Sequence, residues 1–314
     1  MNARVAVLGA TGVYGRHLLP RLIAAGYRVR ALVRKPQSAA LAGACGAELA
    51  AADIFDEASL RAGLAGCEIA INLATSLPAP GEQGDYAKND QLRREGTPIF
   101  VRACRDAGVA RILQQSIAMT HAGGGDAWAD EQTFHPIAEG IAGAAIAAVR
   151  AMEAAVMESD LDWLVLRGGL FYGPGTGFDD DWFARARAGK LRLPAEGDDY
   201  VSLVHIADMA DATLAAIRRW PSRQALIVAD DNPARWRDVL TYLFSRRQQS
   251  AAPWRTFGDA FVQSEERTRP PGPGVGAVLW RLSRRPGPLG RYIPGIGRHS
   301  MISTASPGKI VKCG

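Results

Sequence analysis

The stretch Val5–Leu22, VAVLGATGVYGRHLLPRL, restricts this chain more than any other. Four apolar residues run into glycines at positions 9, 12 and 15, and Leu18, Leu19, Leu22 and Ile23 then recur at helical spacing. Gly26 ends the helix, and Arg28–Val33 alternates as a second strand. A strand, a glycine turn, a helix and a strand make the unit that accommodates a dinucleotide. The glycines permit a tight turn and close approach of backbone to a pyrophosphate, and the helix start offers free N–H groups to it. The spacing is G-x-x-G-x-x-G, and glycines also serve as caps and turns, so the motif counts because of the strand and helix around it. Gly9, Thr11, Gly12, Val13, Tyr14 and Gly15 are therefore the expected cofactor cradle. The second strand ends in ALVRKP, which puts Arg34 and Lys35 where a ribose 2′-phosphate would stand. That favours NADP(H) over NAD(H); the plain alternative is two exposed basic residues closing a strand.

The alternation continues. Glu48–Ala51 reads as a strand, Glu57–Leu64 as a helix, Ile69–Ser76 as a strand, and a long helical segment runs to about Ala107. Arg111–Ser116 is a fifth strand, and a helix from about Ile137 to Ser159 precedes a strand at Trp163–Arg167. Strands alternating with helices predict an α/β fold with a doubly wound parallel sheet.

Composition narrows the function classes. No apolar run approaches the length that crosses a bilayer, and the start of the chain lacks the features of a signal peptide, so a cytoplasmic protein without membrane contact is expected. Cys45, Cys67, Cys104 and Cys313 form no CxxC pair, and the five histidines show no HxH or HxxxH spacing, so no metal site is expected. The net charge of +5 is concentrated near the end, where Glu265–Gly314 holds nine Lys/Arg and two Glu. Its arginines alternate with Pro and Gly and have few aromatics beside them, which reads as a solvated tail, not a nucleic-acid surface.

Six segments in order resemble landmarks of the extended and atypical short-chain dehydrogenase/reductases: GATGVYG (9–15), ADIFD (52–56), NLATS (72–76), REGTPIFVRACRDAGVARILQQS (94–116), LRGGLFYGPGTG (166–177) and VSLVHIADMADATLAAI (201–217). The resemblance spans about residues 3 to 245. It implies a Rossmann fold in which Asp53 and Ile54 lie beside the adenine, Leu73, Ala74 and Thr75 line the ribose, and Ser116 stands beside the nicotinamide. It also implies a small substrate-binding part built from segments after the sixth strand.

The chain departs from that family at the chemistry. The usual Tyr-x-x-x-Lys pair provides a proton to the oxygen of a carbonyl receiving hydride. Here the helix reads IAGAAIAAVRAMEAAVMES and contains neither residue. If Glu153 matches the glutamate that often follows the pair, Ala145 and Val149 hold the two positions, and Ala145, Val149, Met152 and Val156 share one packing stripe. Candidate substitutes are Ser116, as a donor polarising the substrate oxygen; Tyr172, in the loop after the sixth strand; and His121, five residues beyond Ser116. Tyr172 and His121 each have a structural alternative, and His205 reads as a helix-positioning residue. The loop His121–Glu131 could close as a lid with Trp128 as its apolar contact.

The expectation is an NADP-dependent oxidoreductase acting on a small-molecule carbonyl or activated double bond, as a monomer or homodimer. The alternatives are an epimerase or dehydratase of the nucleotide-sugar type, or a non-catalytic NADP-binding redox sensor. Residues 1–167 form the nucleotide-binding domain, 168–250 complete the sheet and the substrate-binding part, and 251–314 form a poorly ordered Pro/Gly/Arg-rich tail.

Overall fold

The computed structural model describes residues 3–77, 86–121, 128–134, 140–176, 180–191, 197–231, 234–245, 300–303 and 311–312. The tail, apart from the last two segments, lies outside them, as do most of the loop 121–131 and the start of the helix expected from Ile137. Through the first half the elements are β1 (Arg4–Leu8), α1 (Val13–Ala24), β2 (Arg28–Val33), α2 (Ala40–Ala44), β3 (Glu48–Ala51), α3 (Glu57–Leu64), β4 (Ile69–Asn72), α4 (Tyr86–Gln91), α5 (Thr97–Asp106) and β5 (Arg111–Ile117). There follow β6 (Trp128–Ala129), α6 (Gly140–Met157), β7 (Asp162–Gly168), β8 (Leu170–Tyr172), α7 (Asp180–Arg187), β9 (Tyr200–Val201), β10 (Leu203–His205), α8 (Ile206–Arg219), β11 (Gln224–Asp230), β12 (Ala234–Arg235), α9 (Trp236–Ser245), β13 (Ser300–Ser303) and β14 (Val311–Lys312).

Seven strands pair in parallel in the order β11-β7-β5-β4-β1-β2-β3, and β13 adds an antiparallel edge beside β11. Strands this apolar on both faces need cover on both sides. Leu18, Leu22 and Met209 of α1 and α8 bury one face, while Leu60, Phe100 and Val156 of α3, α5 and α6 bury the other. The packing stripe expected on α6 is present at Val149, Met152 and Val156, all buried. A smaller apolar cluster joins Tyr172, Leu203, Val239 and Leu243 of β8, β10 and α9.

Two expected elements differ by more than a residue or two at an end. The strand expected to reach Ser76 stops at Asn72, because the Asn72 side chain accepts from the Ala74 N–H at 3.1 Å and turns the chain. The long helix expected to end near Ala107 is α4 and α5 joined by a π-helical turn at Leu92–Gly96. Among the described residues no helix is long and apolar enough to cross a membrane.

Candidate functional site

Parallel strands send all their C-terminal ends to one edge. Here the chain winds from β1 to β2 and β3 on one side, and to β4, β5 and β7 on the other. The crevice where the order reverses is where such sheets bind ligands.

The three glycines have three different surroundings. Gly9 has φ +80°, and a Cβ there would lie 2.6–2.8 Å from the backbone of Leu73 and Ala74. Gly15 allows α1 to pack on the end of β1, since a Cβ would meet the Ala10 backbone at 2.3–2.7 Å. Gly12 is different: its Cβ would meet only the Gly9 carbonyl, at 3.2 Å, and would otherwise project into open space. Gly12 is also the N-cap of α1, with no side-chain cap and no acidic residue in the first turn. This open, uncapped helix start suits a pyrophosphate. Beside it a cavity of about 270 Å³, lined by Thr11, Arg16, Ser38, Leu41 and Cys45 among others, opens toward α2. A larger groove of about 430 Å³ lies between α5 and the end of α6 and shares no lining residue with this site.

The other expected cofactor residues fall around this crevice. Arg34 and Lys35 are exposed just past the end of β2. Asp53 Oδ1 accepts from the Phe55 N–H at 3.0 Å, which fixes the turn that buries Ile54. Leu73, Ala74 and Thr75 leave the end of β4, and the Leu73 and Ala74 backbone closes on Gly9. Tyr14 contributes no side chain here: its hydroxyl donates to Thr213 Oγ1 in the packing between α1 and α8. Burial pushes that phenol well above its usual range.

At the end of β5 the side chains hold one another. Ser116 is 1% exposed, and its Oγ–H donates to Glu153 Oε1 at 2.5 Å. Arg167, at the end of β7, grips the same carboxylate through Nε at 3.0 Å and Nη2 at 2.7 Å. Its Nη1 donates to the Glu131 carbonyl at 2.9 Å, and Glu131 Oε1 accepts from the Ile227 N–H at 3.1 Å. All four residues are buried, so each charge needs its partner. Arg167 is the member that sequence reasoning missed; its one signal was an arginine ending an apolar strand, where a buried charge demands a carboxylate.

His121 lies next to this network. Its Nδ1 is 2.9 Å from the Thr133 carbonyl, and burial, reinforced by the Arg167 charge, lowers its pKa to about 4. Tyr172 is not drawn into the same cluster. It packs in the smaller apolar core with its ring edge-on to His205 at 5.2 Å. His205 caps α8, its Nδ1 accepting from the Ala207 N–H at 3.2 Å. The structure thus brings Ser116 and His121 to one buried cluster and leaves Tyr172 apart.

A family model described as NAD(P)H-binding matches residues 9–218. The chain is 37% identical over 241 residues to a 3-diazoavenalumate denitrifying reductase of Streptomyces sp, covering 74% of this chain and 77% of that protein. It is 27% identical over 244 residues to a 4-hydroxy-2-methyl-3-oxo-4-farnesyl-3,4-dihydroquinoline-1-oxide ketoreductase of Stigmatella aurantiaca, covering 76% and 72%. Among solved structures, a UDP-glucose 4-epimerase of Thermus thermophilus in complex with NAD superposes with a TM-score of 0.62 at 20% identity, over 80% of this chain and 84% of that one. The last likeness is one of fold. With the glycine turn, the uncapped helix and the reversal of strand order all within the matched span, the chain belongs to the NAD(P)H-binding family.

Proposed function

We propose that the chain is an NADPH-dependent oxidoreductase whose small-molecule acceptor is already prepared for hydride by its own chemistry. Membership of an oxidoreductase class follows from the family and from reductases among the relatives. The choice of NADPH is supported by Arg34 and Lys35, exposed at the end of β2 and suited to a 2′-phosphate. A nicotinamide cofactor in the crevice would supply the hydride. The chain would hold its pyrophosphate with the turn Gly9–Gly15 and the start of α1, and would keep a dry, charge-paired floor of Ser116, Glu153 and Arg167 under its reactive end.

One observation carries the claim about the acceptor: the candidate proton donors are otherwise engaged. The Ser116 proton is committed to Glu153. His121 is neutral at pH 7, and its Nδ1–H donates to the Thr133 carbonyl. Tyr172 is packed in the smaller core, and α6 holds no Tyr or Lys. A positioned general acid is worth about 10²–10⁴-fold, so an isolated ketone would be a poor acceptor. A conjugated carbonyl, an activated double bond or a diazo-bearing arene takes up the electron pair unaided. On an arenediazonium carbon, incoming hydride expels N₂ and the step consumes no proton.

The test is NADPH oxidation followed against a panel: an arenediazonium salt, a quinone, an enone and a simple aliphatic ketone. The first three should be reduced faster than in the absence of protein, and the ketone should lag. Tight NADPH binding with no oxidation by any acceptor would overturn the reading and leave the redox-sensing regulator. The epimerase alternative is supported by fold likeness alone.

A further inference from the structure

His121 Nε2 is buried and has no hydrogen-bond partner. The other ring nitrogen faces the Thr133 carbonyl at 2.9 Å, and a carbonyl only accepts, so Nδ1 carries the proton and Nε2 is a bare lone pair. Burial and the nearby Arg167 charge keep the ring from taking a second proton near pH 7. Buried acceptors left in this condition are uncommon, because they lose water and gain nothing in exchange. A partner supplied from outside the chain resolves it.

The surroundings describe that partner. The imidazole lies against the Phe134 ring, with centroids 4.6 Å apart and planes tilted by 40°. Phe134 is 46% exposed, and the guanidinium groups of Arg150 and Arg167 lie over its ring at 5.3 and 5.5 Å. Large exposed apolar side chains among the described residues are Leu41, Phe55, Leu77, Tyr86, Met119 and Phe134. Phe55, Leu77 and Met119 come within about five residues of the C-terminal ends of β3, β4 and β5, and Met119 leaves the same strand end as His121. Apolar exposure concentrated at one edge marks a binding surface, whereas scattered exposure does not.

We propose that His121 Nε2 is a hydrogen-bond-accepting subsite for a hydroxyl or N–H group carried on a planar apolar substrate, whose ring rests against Phe134 and Met119. This rests on the reductase reading and names its substrate class: an arene bearing a donor such as a phenol. His121 is then a substrate-orienting residue that transfers no proton.

The test uses the full chain loaded with NADPH, titrated with p-cresol and with toluene, with binding read by calorimetry. p-Cresol should bind about ten- to a hundredfold more tightly, the factor for satisfying a buried acceptor, and the gap should close in His121→Phe. Equal binding of the two ligands, no binding of p-cresol, or a gap that survives in His121→Phe overturns the proposal. The wild-type imidazole ¹⁵N spectrum provides a measurement that does not depend on the variant folding. The Nε2 resonance should move on adding p-cresol, and a stationary one overturns the proposal. NADPH occupancy is measured separately and turnover is not read. A failed subsite therefore leaves the reductase reading standing, whereas failure to bind NADPH overturns that reading.

Discussion

The ligand edge over β1 and β4 is made of backbone, whereas the edge over β5 and β7 is made of side chains that hold one another. In the first region Gly9 and Gly15 bring main chain against main chain, and function follows from the steric room in front of Gly12. In the second, Ser116, Glu153, Arg167 and Glu131 fill the space with a closed set of hydrogen bonds, and function follows from which protons are already committed. A cofactor cradle is therefore a matter of steric room, and the reacting end is a matter of proton inventory.

The sharpest way to break this contrast is at the glycines. Gly15→Val should prevent stable folding, because its Cβ meets the Ala10 backbone at 2.3 Å, while Gly12→Val should stay folded and lose NADPH. Urea melts paired with NADPH titration check both, and a folded Gly15→Val or a Gly12→Val with native affinity would remove the distinction. Next in size, Glu153→Ala leaves Arg167 buried without its partner and should destabilise by about 3–5 kcal/mol, read as a shift of the denaturation midpoint.

The third effect is one of pH. The folded pKa of His121, at about 4, lies below the usual 6.5, so the unfolded chain binds the proton more readily between those values. Stability should be complete above about pH 6.5 and fall as the pH drops toward 4, by roughly 3 kcal/mol for this group. His205, also lowered by burial, acts in the same direction. Denaturation midpoints at pH 7.5 and 4.5 should diverge less in His121→Phe than in the wild type.

A smaller change tests the cradle's charge preference: Arg34→Ala should weaken NADPH by about 1.5–3 kcal/mol and leave NADH nearly unchanged. Equal losses for both cofactors would move Arg34 away from the 2′-phosphate. Least of all, Ser116→Ala and Tyr172→Phe should lower the single-turnover rate by far less than the roughly 10²–10⁴-fold of a lost general acid. A drop of that size in either one would identify a proton donor and end the argument that the acceptor supplies its own activation.

The same contrast decides what could be read from sequence. Arg28–Val33, Glu48–Ala51 and Glu57–Leu64 emerge with the bounds the structure gives them, since apolar periodicity and glycine stops are local signals. The π-helical turn at Leu92–Gly96 interrupts no such pattern and was invisible. Ser116 was legible as a strand-end hydroxyl, but the fate of its proton was not. Glu153 lies 37 residues away, and Arg167 joins from a third element 14 residues further on. Nothing local in Arg167 or Glu153 announces that they meet. Likewise His121 could be read as a loop imidazole open to either protonation state, and only the Thr133 carbonyl makes it an acceptor.

Gly63 shows what the cradle glycines imply for the future of this chain. A Cβ at Gly63 would meet Leu32 Cδ2 at 2.9 Å, the far end of a side chain that a second substitution could shorten. At Gly9 and Gly15 the obstacle is peptide backbone, which no substitution elsewhere can trim. Their loss has no second-site suppressor short of rebuilding the turn. The acceptor end, being made of side chains, can be rewritten by paired changes while the cradle stays untouched. Selection or engineering for new acceptors should accordingly find its accessible routes around Phe134, Met119 and Leu77, and find none through the first fifteen residues.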